Sequence, residues 1–127
     1  MQPIIPHAVS TQLLVVEDDV DTRATLIALL EREGFTVTGA ANGAEAIIAL
    51  EEGLSPAVVL ADLHMPGIVG HELLEYMRGV PRLSEIPVAV ITAAPHQAPP
   101  GYHVFKKPAA FKPVLEFVRA CMPSPAA

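Results

Sequence analysis

The sequence predicts an α/β protein: a doubly wound parallel sheet of five strands with helices on both faces. Two observations and one rule predict it. Short apolar runs alternate with segments of helical spacing along the whole chain. The runs are apolar throughout rather than alternating apolar with polar, as strands buried on both faces are. Strands that alternate with helices build a parallel sheet through right-handed crossovers.

The first run is Leu13-Leu14-Val15-Val16, a strand. Val20, Ala24, Ile27 and Leu30 follow at helical spacing, and Gly34 stands just past them as a stop signal. Phe35 to Thr38 reads as the second strand. Asn42 with Glu45 three residues on resembles a capping box, and Ala44, Ile47 and Ile48 continue that helix to Gly53. Ala57-Val58-Val59-Leu60 is the third strand, and Leu73, Leu74 and Met77 give the face of the third helix. Val88-Ala89-Val90-Ile91 is the fourth strand and Tyr102 to Phe105 the fifth. Phe111, Val114, Leu115, Val118 and Met122 space a last helix, with Pro113 in its first turn, where a missing N–H costs little.

At 127 residues the chain argues for one domain, large enough to bury a core without staples. Prolines mark its limits: Pro3 and Pro6 lie in an N-terminal tail over residues 1–11, and Pro123 and Pro125 in a C-terminal tail over 123–127, leaving a domain at 12–122. Pro95, Pro99 and Pro100 mark a loop before the fifth strand. An apolar share of 51% against 17% charged residues excludes general disorder. With 8 Lys and Arg against 14 Asp and Glu, a net charge of -6 and no basic patch, direct nucleic-acid binding is not expected. No apolar stretch is long enough to span a membrane, and residues 1–10 lack the pattern of a signal peptide. The single cysteine, Cys121, excludes an internal disulfide and fits a reducing compartment. A cytoplasmic location is expected.

Ligand sites of doubly wound sheets lie at the carboxyl ends of the strands. There the sequence places Glu17-Asp18-Asp19 after the first run, Asp62 after the third, Thr92 beside small Ala93 after the fourth, and Lys107-Pro108 after the fifth. Each has a plainer reading alone: a helix N-cap, a turn former, an ordinary strand residue, a surface lysine. Their conjunction is far more specific. Clustered carboxylates repel one another unless a cation is shared. Oxygen donors that leave room for waters and phosphate suit Mg²⁺. Asp62 on the central strand can then act as a nucleophile toward phosphorus, forming an aspartyl phosphate. Lys107 supplies a compact positive charge to a phosphate oxygen and Thr92 a hydroxyl.

These pieces resemble the response-regulator receiver domain of bacterial two-component signalling. The matching stretches are Leu13-Leu14-Val15-Val16-Glu17-Asp18-Asp19, Ala61-Asp62-Leu63-His64-Met65-Pro66-Gly67 with Gly70, Ile91-Thr92-Ala93 and Phe105-Lys106-Lys107-Pro108, covering about residues 12 to 121. The resemblance implies a flavodoxin-like sheet in the order 2-1-3-4-5. It implies Asp62 as phosphoacceptor, Glu17 and Asp18 as the acidic pair with Asp18 the direct Mg²⁺ ligand, the backbone carbonyl of His64 as a further ligand, Thr92 as the switch hydroxyl and Lys107 as the phosphate-binding lysine. The phosphoryl donor would be a sensor histidine kinase or a histidine phosphotransfer protein, the output an unnamed protein. The domain would be no enzyme in its own right, only assisting its own phosphorylation and dephosphorylation.

Three departures stand out. The segment from Thr92 to Lys107 is several residues shorter than the family's, so the fourth helix is expected to be shortened or replaced by a loop. The aromatic residue usual three positions before the lysine is Val104, and Ala109 replaces a larger residue after Pro108. The resemblance implies an output and dimer surface made of the fourth helix, fifth strand and fifth helix; dimerisation through it should be weakened here, giving a monomer or weak homodimer. The alternative is a pseudo-receiver, an interaction module independent of phosphorylation. A flavin- or nucleotide-binding enzyme is disfavoured, because no Gly-rich loop follows the first strand and Glu17, Asp18 and Asp19 would repel phosphate.

Overall fold

The computed structural model describes residues 12–62 and 68–122. Among these residues the elements run β1 (Gln12–Val16), α1 (Val20–Arg32), β2 (Thr36–Ala40), α2 (Gly43–Glu51), β3 (Val58–Asp62), α3 (Ile68–Gly79), α4 (Pro81–Ser84), β4 (Val88–Thr92), β5 (His103–Lys106) and α5 (Phe111–Cys121). The strands form one parallel sheet in the order β2-β1-β3-β4-β5, as expected. β1, β3 and β4 lie inside the sheet and are the continuous apolar runs; their residues Leu13, Leu14, Val58, Val59, Ala89 and Val90 have no exposed surface.

Each face of the sheet carries its own apolar layer. On one, α2, α3 and α4 cover Leu14, Val16, Val59 and Ala61 with Leu50, Leu73, Met77 and Leu83. On the other, α1 and α5 cover Leu13, Val15, Leu60 and Ile91 with Leu30, Val114 and Val118. Period-two alternation divides each strand between the two layers.

The caps explain the helix starts. Asp19 Oδ2 accepts from the N–H of Thr22 at 2.8 Å and from its hydroxyl at 2.6 Å, opening α1. Asn42 Oδ1 accepts from Glu45 N at 2.9 Å, and Glu45 Oε1 reaches back to Ala41 N at 3.3 Å. That is the expected reciprocal box, shifted one residue outward on its return bond. Gly34 takes φ +98° just after α1, a left-handed conformation that glycine adopts without strain.

The structure also corrects details. The buried stripe of α1 is Leu26, Ile27 and Leu30; Val20 is 65% exposed, because the first turn starts at the sheet's carboxyl edge with no strand beneath it. In α2 the buried positions are Gly43, Ala46 and Leu50, and Ile48 faces solvent. β2 runs to Ala40 rather than Thr38, since its end is set by pairing of Val16 with Ala40, not by hydropathy. β5 begins and ends one residue later than expected. The single turn α4 had no periodic signal to reveal it. Pro81 opens it, Leu83 is buried, and Arg82 donates to the carbonyl of Leu54 at 3.3 Å and to that of Leu50, a cation on the carboxyl end of α2.

Between β4 and β5 there is no α-helix. A 3-10 turn at Pro95–Gln97 is all the regular structure in that connection. The expectation that the fourth helix is shortened or replaced by a loop at this place is met.

Candidate functional site

The site is made by strand ends that the sheet brings level. Register pairs Val16 with Ala61, Asp62 with Ile91, and Thr92 with Lys106. The residues just past these pairs therefore meet at one edge.

The turn after β1 is tied down residue by residue. Glu17 donates its N–H to the Ala40 carbonyl at 3.0 Å. Its carboxylate accepts from Asp19 N at 3.3 Å, and the residue is 3% exposed. Asp19 is committed to capping α1, which leaves Asp18, exposed at the edge, to face the centre. Glu17, Asp18 and Asp62 each offer an oxygen within 4.8 Å of the others. The Asp62 side chain is 3% exposed.

Lys107 enters from the other side. Its N–H donates to the Thr92 carbonyl at 2.8 Å, so the chain past β5 stays pinned to β4. The ammonium donates to Asp62 Oδ2 and lies 3.6 Å from Glu17 Oε2. Lys106 is exposed and paired in register with Thr92, so Lys107 is the lysine that reaches the carboxylates. The Lys107–Pro108 peptide bond is cis. Thr92 is 6% exposed; its hydroxyl oxygen accepts from Ala94 N at 3.1 Å, which leaves the hydroxyl hydrogen to be donated.

Charge arithmetic tests the fit of a divalent cation. Two carboxylates 4.8 Å apart repel by roughly 3 kcal/mol at an effective dielectric of ~20. One ammonium offsets one of the three negative charges and leaves two. An all-oxygen donor set with a residual charge of two suits a hard divalent ion that retains waters, such as Mg²⁺. The residues present fit it.

Glu17, Asp18, Asp62, Thr92 and Lys107 are thus gathered at one edge. His64 lies outside the described residues, and so does the turn it belongs to. A cavity of about 730 Å³ opens from this edge between α1 and α5, walled by Leu26, Leu29, Phe111 and Val114. Sequence reasoning passed over this cavity, as it did Arg23, whose guanidinium donates to the Glu17 carbonyl at 2.7 Å. Neither left a motif: the cavity comes from the spacing of two helices, and Arg23 is one helix cation among several.

The aromatic question is settled by alternation. Val104 shares the α3 face of the sheet with Tyr102, while Phe105 turns to the opposite face against Phe117 of α5, ring centroids 5.9 Å apart. Tyr102 receives a hydrogen bond from Arg78 of α3 at 2.9 Å, with the guanidinium 5.6 Å from its ring centroid.

The comparisons agree with this geometry. A family model described as the response regulator receiver domain matches residues 13–105. A transcriptional regulatory protein CpxR homolog of Haemophilus influenzae is 42% identical over 83 residues, 65% of this chain and 34% of that one. The chain spans between 34% and 61% of the length of the two curated relatives that share 42% identity with it. Among solved structures, the receiver domain of the hybrid histidine kinase CckA superposes with a TM-score of 0.72 at 34% identity, covering 87% of this chain and 97% of that one. The response regulator TrrA of Thermotoga maritima, solved in complex with Mg²⁺-BeF, gives a TM-score of 0.69 at 28% identity over 87% of this chain and 97% of its own. From residues 13 to 105 the match takes in both the acidic turn and the strand leading to the lysine, and the chain belongs to the response regulator receiver domains of two-component signalling.

Proposed function

We propose that this domain is a phosphorylation-dependent switch that accepts a phosphoryl group on Asp62. The observation that carries the reading is the convergence of three carboxylates and one ammonium at the carboxyl edge of the sheet. A carboxylate oxygen of Asp62 attacks phosphorus; the bond from phosphorus to the donor's imidazole nitrogen breaks, and that nitrogen keeps the electron pair. The donor is a sensor histidine kinase or a histidine phosphotransfer protein. Mg²⁺ held by Glu17, Asp18, Asp62 and the His64 carbonyl would offset charge on the transferring oxygens. Lys107 then follows the phosphate oxygen that replaces its present carboxylate partner, and Thr92 donates its hydroxyl hydrogen to another. The functional unit is residues 12–122, acting in the cytoplasm as a monomer or weak homodimer and passing the signal to a protein partner.

The second reading is a pseudo-receiver that binds its partner without phosphate. The shortened β4–β5 connection and Val104 favour it. Intact-mass measurement after incubation with a small phosphoryl donor and Mg²⁺ separates the two. One added phosphate on the wild-type protein and none on Asp62→Asn is the expected result. Equal labelling of Asp62→Asn would move the acceptor elsewhere, and no labelling of either protein would leave the interaction module.

A further inference from the structure

We infer that Arg23 is a positioning residue for the acidic edge: its side chain, laid across Gly39 of β2, pins the Glu17 carbonyl and so fixes the turn that presents Asp18. The inference deepens the metal-site reading and rests on it for its effect on Mg²⁺, though not for its effect on the turn itself.

Three observations support it. The bond from Arg23 Nη1 to the Glu17 carbonyl, at 2.7 Å, is short and charge-assisted. Arg23 is itself fixed at the start of α1, its N–H donating to the Asp19 carbonyl at 2.9 Å. Residues 17 to 19 are therefore enclosed by one loop of contacts: β2 holds Glu17 from below, Arg23 holds its carbonyl from above, and the α1 cap holds Asp19. What that loop presents to the site is Asp18 and the carboxylate of Glu17. The third observation is the path the arginine takes. The Arg23 stem lies against the bare strand at Gly39: a Cβ there would touch Arg23 Cδ at 3.4 Å, an ordinary contact distance, while the crowding would fall on Ile27 Cδ1 at 2.8 Å. A glycine in mid-strand weakens β2 by itself, and close approach of another group is a physical reason for one.

The sign of the effect distinguishes positioning from electrostatics. A positive charge near a cation site opposes the cation, so on charge alone its removal tightens Mg²⁺ binding. Removal of a residue that holds a ligand turn in place weakens it, by about tenfold where outer contacts orient the ligands.

The experiment is a Mg²⁺ titration of the intact chain, followed by the amide shifts of Asp18 and Asp62, beside amide exchange of Asp18 and Asp19 in metal-free protein. Arg23→Ala is expected to bind Mg²⁺ about tenfold more weakly and to exchange faster at both amides. Arg23→Lys, which keeps the reach and a donor, should recover most of the loss. Arg23→Gln keeps part of the stem but loses the charge and the reach, and should shift both readouts as Arg23→Ala does; it also serves if Arg23→Ala fails to fold. Tighter or unchanged Mg²⁺ binding in Arg23→Ala with unchanged exchange would overturn the inference. If the wild-type protein takes up no Mg²⁺, the metal-site reading fails, and the metal-free exchange comparison alone decides on Arg23.

Discussion

The turn after β1 and the connection after β4 leave the same edge of the sheet and are built in opposite ways. The first is three residues long, holds Glu17 and Asp19 in hydrogen bonds through backbone and side chain, and runs straight into a capped helix of 13 residues. The second has one 3-10 turn, closed by the N–H of Gln97 on the Ala94 carbonyl at 2.9 Å and that of Ala98 on Pro95 at 3.1 Å. Yet both deliver their site residue to the right place. Lys107 arrives opposite Asp62 because β5 pairs with β4 from Ala89–His103 to Thr92–Lys106, and that pairing is indifferent to what joins the two strands. The crossover helix matters to a different surface. Where it would cover the β4–β5 side of the sheet, Tyr102 and Arg78 stand instead. The edge that gathers the carboxylates and Lys107 and the surface beside the β4–β5 connection are thus physically separable.

The largest contrast between the two regions should appear in amide exchange. Val90 and Leu60 are fully enclosed and should exchange only on global unfolding. Residues 94–101 should exchange close to the unstructured rate, a difference of on the order of 10⁴-fold or more for a domain of ordinary stability. Loading with a phosphate mimic should slow this segment as it orders. Ala94 is the exception: its N–H is bonded to the Thr92 hydroxyl and should be released as that group turns to the phosphate. Strong protection of 94–101 before loading would break the comparison.

Packing should follow the same division. Leu60 on β3 is 1% exposed, and Leu60→Ala should cost about 3 kcal/mol, within the usual range for a buried leucine. Val104 on β5 is only half-buried, and Val104→Ala should cost roughly 1 kcal/mol or less. Denaturant midpoints at constant slope measure both. Comparable losses would mean that β5 is packed as tightly as the centre.

Much of this was legible in the sequence because the interior strands carry a two-sided burial signal. Of the five expected strands, the three continuous apolar runs became β1, β3 and β4 with little adjustment, and each site residue stands at or just past a strand end. The edge strands were less legible. β2 contains Thr36, Thr38 and Gly39, and its limits come from backbone pairing. The helix faces were misread where a helix start overhangs the sheet, as at Val20. α4 is too short for any period, and Arg23 does its work through a backbone carbonyl, which no side-chain motif encodes.

The lysine pair sharpens the contrast at the site itself. Lys107→Ala removes the ammonium that faces Asp62 and Glu17, so Mg²⁺ should bind more tightly, on the order of tenfold, to three carboxylates without a competing charge. The variant should still accept phosphate but lose most of the accompanying spectral change. Lys106→Ala, on an exposed side chain beside it, should do neither. A reversal of the two phenotypes would place the strand register one residue off.

The smallest expected effect concerns what stands in for the missing helix. Arg78 lies near the end of α3, the helix that follows the strand ending in Asp62, and Tyr102 immediately precedes β5. The 2.9 Å hydrogen bond and the guanidinium 5.6 Å from the ring centroid tie those two elements together. Arg78 is exposed, so solvent screens the contact, and the coupling should be worth about 0.5–1 kcal/mol. A double-mutant cycle of Arg78→Ala and Tyr102→Ala, read by denaturant unfolding, measures it, since each single variant removes the pair and the cycle cancels what each loses alone. Tyr102→Phe separates the two parts: it deletes the hydroxyl acceptor and keeps the ring, and should retain the portion due to the ring face. If the tie also links the two elements in the switch, repeating the cycle with a phosphate mimic bound should return a different coupling, because a ligand shifts an equilibrium only through contacts that differ between its states. A coupling of zero in both forms would mean that α3 and β5 are joined through the sheet alone, and that nothing has taken the place of the helix this connection lacks.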